Sequence, residues 1–119
     1  MTKKTAARYY CPISVTLAVI GGKWKPLILY SLKGGPRRFN ALQAKLPQVS
    51  HKVLTQHLKE LQSAGLITGT STANASTYRL TELAQSLRPA LTALATWGLK
   101  HHGQLNVRLV WPPPGRTAL

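Results

Sequence analysis

Acidic residues are almost absent from this sequence. Glu60 and Glu82 are the two acidic side chains among 119 residues, against 16 lysines and arginines, and the formal net charge is +14. Two-metal nucleases and phosphatases hold cations with clustered carboxylates, and glycosidases use a pair of them. Two glutamates in separate helical patterns do not supply such a site. We therefore expect neither an enzyme nor a bound cofactor.

Long apolar runs are missing as well. No segment approaches the ~18 apolar residues of a membrane-spanning helix. The opening MTKKTAARYY also lacks the apolar stretch of a signal peptide. We expect a cytoplasmic protein with no membrane partner.

Cysteine occurs once, at Cys11, directly before Pro12. A single thiol excludes a disulfide within the chain, which fits a reducing cytosol or a thiol that pairs between chains. Proline is favoured at the first position of a helix, so Cys11 is predicted to be the N-cap. There the positive end of the helix macrodipole favours the thiolate, which oxidants and electrophiles attack readily. Cys11 is either a candidate redox sensor or a small, inert, buried residue.

Positive charge is what the sequence has in excess. A field of this strength attracts polyanions, and we favour nucleic acid over an anionic membrane. With 44% hydrophobic residues the chain can still bury the core of one small domain. We divide it into a basic arm (1–10), a folded domain (11–103) and a tail (104–119).

Prolines and glycines punctuate the helical patterns of this domain. Proline lies near the start and glycine or proline at the end of the first three: CPISVTLAVIGG, KWKPLILYSLKGG and PRRFNALQAKLP. The last pattern, TELAQSLRPALTALATWGLKHHG, has a capping residue in Thr81, and we expect Pro89 to kink or split it. Its apolar stripe is longer than a small monomer can cover. The adjacent His101 and His102 would point about 100° apart on a helix, so we expect no metal site.

The fourth pattern, SHKVLTQHLKELQSAGL, is the clearest amphipathic helix. Ser50 is a favoured N-cap and Gly65 a favoured end. At about 100° per residue one face is apolar, and it includes His57, which we expect to be a satisfied core histidine. The opposite face has no exposed acid near its centre and carries cations, amides and hydroxyls: Lys52, Thr55, Gln56, Lys59 and Ser63.

Two strands, LITGTST and STYRLT, follow as a hairpin around the polar TANA. The order of elements predicts a mainly α fold with a small β-hairpin, of the winged helix-turn-helix type. The helix before the hairpin would then lie in the major groove of DNA, where Gln56 can pair with adenine. Arg37 and Arg38 are expected to begin the helix that precedes it. The predicted DNA-contacting residues are Arg37, Arg38, Ser50, His51, Lys52, Thr55, Gln56, Lys59 and Arg79.

A competing interpretation is a nonspecific nucleic-acid or RNA-binding module driven by charge alone. Single-strand binding favours exposed aromatic rings among the cations. Trp24 and Trp97 lie off the basic face and are expected to be core or interface residues. Because these two aromatic rings do not lie among the cations of the basic face, the sequence favours binding of duplex DNA over single strands or RNA.

Residues 9–103 resemble the HxlR-type transcriptional regulators. The similarity lies in several motifs in the same order: Cys11–Pro12, IGGKWK at 20–25, RRFN at 37–40, LTQHLKELQSAGL at 54–66 and YRLT at 78–81. It implies a homodimeric, cytoplasmic bacterial regulator whose first and last helices form the dimer interface. Two-fold symmetry then implies an inverted-repeat operator.

The resemblance also bears on the effector and on the hairpin. Some regulators of this type sense oxidants or electrophiles through the equivalent cysteine, which implies such a role for Cys11; a different small molecule stays open. The hairpin segment GTSTANAST is shorter than is common in the family and has no cation at its tip. Arginine is the usual minor-groove residue, so whether this wing reaches the minor groove stays open.

Overall fold

The computed structural model describes residues 7–71 and 76–110. Most of the predicted basic arm, the TANA tip of the hairpin and residues 111–119 of the predicted tail lie outside the described residues.

Helices dominate the described part of the chain. Their order, with three short strands between them, is α1 (Pro12–Ile20), α2 (Lys25–Ser31), β1 (Arg37–Arg38), α3 (Phe39–Lys45), α4 (His51–Ser63), β2 (Ile67–Ser71), β3 (Ser76–Leu80), α5 (Glu82–Gln85) and α6 (Arg88–His101).

Local capping signals set several of these ends. Cys11 is the extended N-cap of α1, with Pro12 at the first helical position. Ser50 Oγ accepts a hydrogen bond of 3.1 Å from the backbone N–H of Val53, which caps α4. Gly65, at φ +77°, follows α4 in the left-handed conformation that glycine adopts without strain. Each of these predicted ends is confirmed.

The last helical pattern is split in two, as predicted. Thr81 Oγ1 accepts a hydrogen bond of 3.2 Å from Ala84 N and caps α5. The chain turns at residues 86–87, and Pro89 lies within the first two positions of α6, where its missing N–H costs no intrahelical hydrogen bond.

The core lies where α2, α3 and α4 meet. Its largest fully buried side chains are Ile28, Leu29, Leu32, Leu42, Leu54, Leu58 and Leu61. Burial of one such side chain is worth about 1.5–3 kcal/mol. Because three of these leucines belong to α4, the core fixes the rotation of this helix and turns its polar face to solvent.

The sheet contains a strand that the sequence analysis missed. Its order is β1-β3-β2, with both pairings antiparallel, and β2 and β3 form the predicted hairpin. Arg37 and Arg38 were expected to begin a helix, but they lie in β1, opposite Tyr78 and Thr77. That expectation was wrong because a two-residue strand is defined by its partner strand and shows no periodicity of its own. The helix α3 begins one residue later, at Phe39.

Two helices leave an apolar surface uncovered. Ile20 of α1 and Leu91 of α6 are buried in the core. The exposed large apolar side chains of α1 and α6 are Ile13, Val15, Leu17, Leu94, Trp97 and Leu99. Among the residues that the structure describes, none of the helices is long and apolar enough to cross a bilayer.

Candidate nucleic-acid interface

The polar face of α4 forms an exposed basic surface. Lys52, Gln56 and Lys59 are exposed on this helix, on the side opposite the buried leucines. The helix has 13 residues and is therefore about 20 Å long. Its dimensions suit the major groove of B-DNA, which is about 12 Å wide.

The N-terminal end of α4 contributes further polar groups. His51 is exposed, and its ring lies 4.6 Å from that of Phe39, centroid to centroid. Ser50 Oγ already accepts the capping hydrogen bond. Thr55 Oγ1 donates to the carbonyl oxygen of His51 at 2.8 Å, so its single hydroxyl proton is in use. Thr55 can therefore offer its methyl group and an acceptor, but no donor, to DNA.

A cluster around Glu60 borders this face. Gln56 Nε2 donates to Glu60 Oε2 at 3.0 Å, and Lys25 Nζ of α2 lies 3.1 Å from Glu60 Oε1. His57 Nδ1 lies 3.2 Å from the same oxygen. Hydrogen bonds from Gln56, then Lys25, then His57 lower the pKa of Glu60 to about 2. This carboxylate is ionised at neutral pH.

The cluster adds one feature that the sequence analysis did not name and corrects its expectation for His57. The polar face does have an acid at its edge, since Glu60 reaches Gln56. His57 is half-buried, with 26% of its side chain exposed, and it contacts Glu60 instead of lying inside the core. The signal was in the sequence, because Gln56 and Glu60 are four residues apart and side chains at that spacing meet on a helix. Lys25 was missed because its contact crosses from α2 to α4.

Three predicted arginines occupy different settings on the sheet. Arg37 is half-buried, and its Nε donates to the carbonyl oxygen of Ser31 at 2.8 Å, which ties β1 to the end of α2. Arg38 and Arg79 are exposed. Arg37 thus has a structural contact, whereas Arg38 and Arg79 are available to an anionic partner.

Cations near α3 receive little compensation from acids. Burial lowers the pKa of Lys45, and the positive charges of Arg37 and Lys33 lower it further. The chain has two acidic side chains, and one of them is already bound to Lys25. The surface around α3 and α4 therefore presents an excess of positive charge to its surroundings.

The sequence profile described as HxlR-like helix-turn-helix matches residues 19–106. This chain belongs to the HxlR-like helix-turn-helix family. It is therefore a transcriptional regulator of the HTH type, and both the family prediction and the winged helix-turn-helix prediction are confirmed.

Relatives of this HxlR-like regulator share most of its length. The uncharacterised HTH-type transcriptional regulator YkvN of Bacillus subtilis is 40% identical over 94 residues, which cover 76% of this chain and 80% of YkvN. The redox regulator HypR in its oxidised form is 32% identical, with a TM-score of 0.72 over 84% of this chain and all of HypR. The quinone-bound YodB of B. subtilis is 27% identical, with a TM-score of 0.66 over 76% of this chain and 99% of YodB.

The thiol of this HxlR-like regulator is exposed. Cys11 lies at the N-cap of α1, directly after Tyr10, which is 94% exposed, and two residues before Ile13 at the start of the apolar surface. The interpretation of Cys11 as a small buried residue is therefore wrong for the protomer. Its backbone carbonyl accepts hydrogen bonds from Ser14 and Val15, while its side chain makes no capping hydrogen bond.

His101, the last residue of α6, contacts Trp97 of the same helix. His101 stacks on Trp97 with 4.8 Å between ring centroids, and its Nδ1 lies 3.0 Å from the carbonyl oxygen of Trp97. Within residues 7–71 and 76–110, no group of three or more His, Cys, Asp or Glu side chains is placed to hold a metal ion.

Proposed function

We propose that this HxlR-like regulator is a cytoplasmic homodimer that binds an inverted-repeat operator in double-stranded DNA, with α4 of each protomer in a major groove. The observation that carries the proposal is the exposed polar face of α4, which three buried leucines hold outward in a chain of charge +14. A helix with one face anchored in a core and the other basic is what major-groove recognition requires.

The exposed groups divide into base-reading and phosphate-binding roles. Gln56 has the donor and acceptor that adenine pairing needs, and the methyl group of Thr55 suits contact with thymine. Lys52 and Lys59 reach phosphates or guanine acceptors. His51 lies at the N-terminus of α4, where the free backbone N–H groups also favour phosphate. The other proposed contact residues are Ser50 at the N-cap of α4, Arg38 and Arg79 on the sheet, and Arg37 through the guanidinium N–H groups other than the Nε that donates to Ser31.

A second copy of the chain accounts for the apolar surface of α1 and α6. Exposed apolar surface of this kind marks an interaction site. Two grooves of about 560 Å³ and 460 Å³ adjoin the α6 part of this surface. Residues of α2, of α6 and of segment 105–110 line both grooves, and residues 45–48 also line the first. A two-fold interface buries the same surface on both copies and would set two α4 helices about 34 Å apart, one per major groove.

Selection of bound duplexes from a random pool tests this function. The wild type should enrich inverted repeats whose half-sites lie about one helical turn apart. The double variant Lys52→Ala with Gln56→Ala should lose this selection and keep weak charge-driven binding. The matched control is Lys23→Ala with Gln85→Ala, which removes the same residue types from exposed positions outside α4.

Two outcomes would contradict the proposal. If the α4 double variant ranks selected and random duplexes as the wild type does, α4 is not the recognition helix. If the wild type enriches no motif at all, the protein is a nonspecific nucleic-acid binder and charge alone drives the interaction.

We also propose that Cys11 is where an oxidant or electrophile acts on this regulator. Its exposed thiol lies at the edge of the proposed dimer interface, and two structurally similar proteins are a redox regulator and a quinone-bound protein. The sulfur of Cys11 would add to a ring carbon of a quinone, which consumes one C=C π bond and transfers the thiol proton to the quinone. Diamide would take two electrons and two protons from two thiols and leave a disulfide between chains.

The variant Cys11→Ser tests this role. It should bind the selected duplex with unchanged affinity and lose the response of binding to diamide and to benzoquinone. On a non-reducing gel, only the wild type should yield a diamide-induced covalent dimer. An unchanged response in Cys11→Ser would remove Cys11 as the sensor.

A further inference from the structure

A hydrogen bond to Glu60 fixes the orientation of the Gln56 side-chain amide. Its Nε2 lies 3.0 Å from Glu60 Oε2. A carboxylate can only accept hydrogen bonds, whereas an amide group has a nitrogen that donates and an oxygen that accepts. The nitrogen must therefore be the atom that faces Glu60, and the alternative with the amide turned around would place two oxygens against each other.

Glu60 is itself held from two sides. Lys25 Nζ lies 3.1 Å and His57 Nδ1 3.2 Å from its Oε1, which leaves Oε2 for Gln56. Lys25 belongs to α2, whose buried residues pack in the core, so the carboxylate is anchored to the body of the domain. Lys25 also offsets a negative charge that would otherwise repel phosphate beside the basic face.

This arrangement leaves one hydrogen-bond donor and one acceptor of Gln56 available to DNA. Its Nε2 carries two hydrogens, and one of them is directed to Glu60. The second N–H and the carbonyl Oε1 are left for a partner. One donor beside one acceptor is the pattern that adenine requires, since adenine presents the N7 acceptor and the N6 donor in the major groove.

We propose that Glu60 is a positioning residue for base recognition, which fixes the side-chain amide of Gln56 in the orientation that reads adenine. The inference rests on the proposed function, because it requires α4 to lie in the major groove. It assigns a role in specificity to an acidic side chain that need not touch DNA.

The variant Glu60→Gln should reverse this orientation. Lys25 can only donate, so it will bind the carbonyl oxygen of the new glutamine and leave that residue's NH₂ group facing Gln56. Gln56 must then turn its oxygen inward and present its NH₂ group to the groove. A group that only donates favours bases with acceptors, guanine or thymine, over adenine.

The experiment is quantitative selection from a random duplex pool with wild type, Glu60→Gln, Gln56→Ala and the double variant. In the wild type we expect one position in each half-site to prefer adenine by roughly tenfold, the order of magnitude of one bidentate contact. Gln56→Ala should abolish that preference. Glu60→Gln should abolish it too and enrich guanine or thymine there, while the double variant should match Gln56→Ala because both changes act through one amide.

The outcomes separate this inference from the proposed function. If Gln56→Ala alters no half-site position, the recognition role of α4 fails and the inference falls with it. If Gln56→Ala relaxes one position but Glu60→Gln leaves the adenine preference intact, the inference alone is overturned. A uniform rise in affinity for all duplexes with unchanged preference would show a purely electrostatic effect of Glu60 and would also overturn it.

Lys25→Met separates base preference from stability. This variant removes the ion pair between α2 and α4 but keeps the contact of Gln56 with Glu60. It should lower the thermal unfolding midpoint and retain the adenine preference. If the adenine preference of Lys25→Met falls in proportion to its loss of stability, the preference depends on the stability of the fold and not on the orientation of the Gln56 amide. The inference is then wrong.

Discussion

Two side chains on α4 make hydrogen bonds within the protein and are also proposed to contact DNA. The hydroxyl of Thr55 and the amide of Gln56 both make hydrogen bonds within the protein, to His51 and to Glu60. These bonds reduce what each side chain can offer to DNA, and they also restrict its orientation. Orientation matters because base edges differ in the order of donors and acceptors, and a fixed side chain can distinguish them.

Glu60 also makes the stability of the fold depend on pH in the acid range. The pKa of this carboxyl is 4.5 for the free group and about 2 in the folded protein. A pKa that folding depresses contributes stability that is complete above about pH 4.5 and is lost as the pH falls toward 2. We expect the thermal unfolding midpoint of the wild type to fall across this window more steeply than that of Glu60→Gln, whose amide does not titrate there.

Thermal melts of both proteins between about pH 5 and pH 2.5 measure this difference. Glu82→Gln is the control, since it removes the other acid and leaves the Lys25–Glu60 contact in place. It should keep the acid-sensitive step of the wild type. Parallel curves for the wild type and Glu60→Gln would contradict the prediction.

At the scale of elements, the sequence predicted those features whose causes are local. Pro12, Ser50 and Thr81 each begin a helix where expected, because a cap acts on the backbone within three residues of itself. Pro89 splits the last helical pattern for a similarly local reason. The exposed face of α4 also followed from periodicity, since the buried leucines recur at helical spacing.

Features that depend on a distant segment could not be predicted. Strand β1 exists because Arg37 and Arg38 pair with β3, about 40 residues further along the chain. The same holds for Lys25, which reaches Glu60 from another helix. Arg37 was named for DNA contact because of its charge and its expected place at the start of a helix, whereas it lies in β1 and its Nε donates to the end of α2. Residue type predicted the chemistry of the surface, and tertiary contacts decided which side chains remain free.

At the scale of the whole molecule, the proposed dimer would link the apolar surface of α1 and α6 to the basic face of α4 through two-fold symmetry. One α4 in a major groove would read only a few base pairs, so selective binding at physiological salt would gain from a second α4 at a fixed distance. In the proposed dimer, the interface of α1 and α6 would supply that distance. Cys11, at the N-terminus of α1, would then lie where a covalent change alters how the two protomers meet.

The variant Leu17→Glu should therefore separate folding from assembly. Leu17 lies on α1 and its side chain is 56% exposed, so a glutamate there leaves the core of the protomer unchanged. In the dimer it would bury an unpaired charge, which is costly. We expect light scattering after size exclusion to give the mass of one chain, where the wild type gives two. Affinity for the selected inverted repeat should fall by roughly 100-fold or more as the two half-sites are no longer bound together.

The matched control is Leu83→Glu, which places the same charge at a similarly exposed leucine on α5, outside α1 and α6. It should remain dimeric and bind the inverted repeat as the wild type does. Circular dichroism of both variants should match the wild type, since neither change touches the buried leucines of α2, α3 and α4. A Leu17→Glu protein that stays dimeric and keeps its affinity would show that α1 is not part of the interface. The spacing of the two α4 helices would then have to come from another surface.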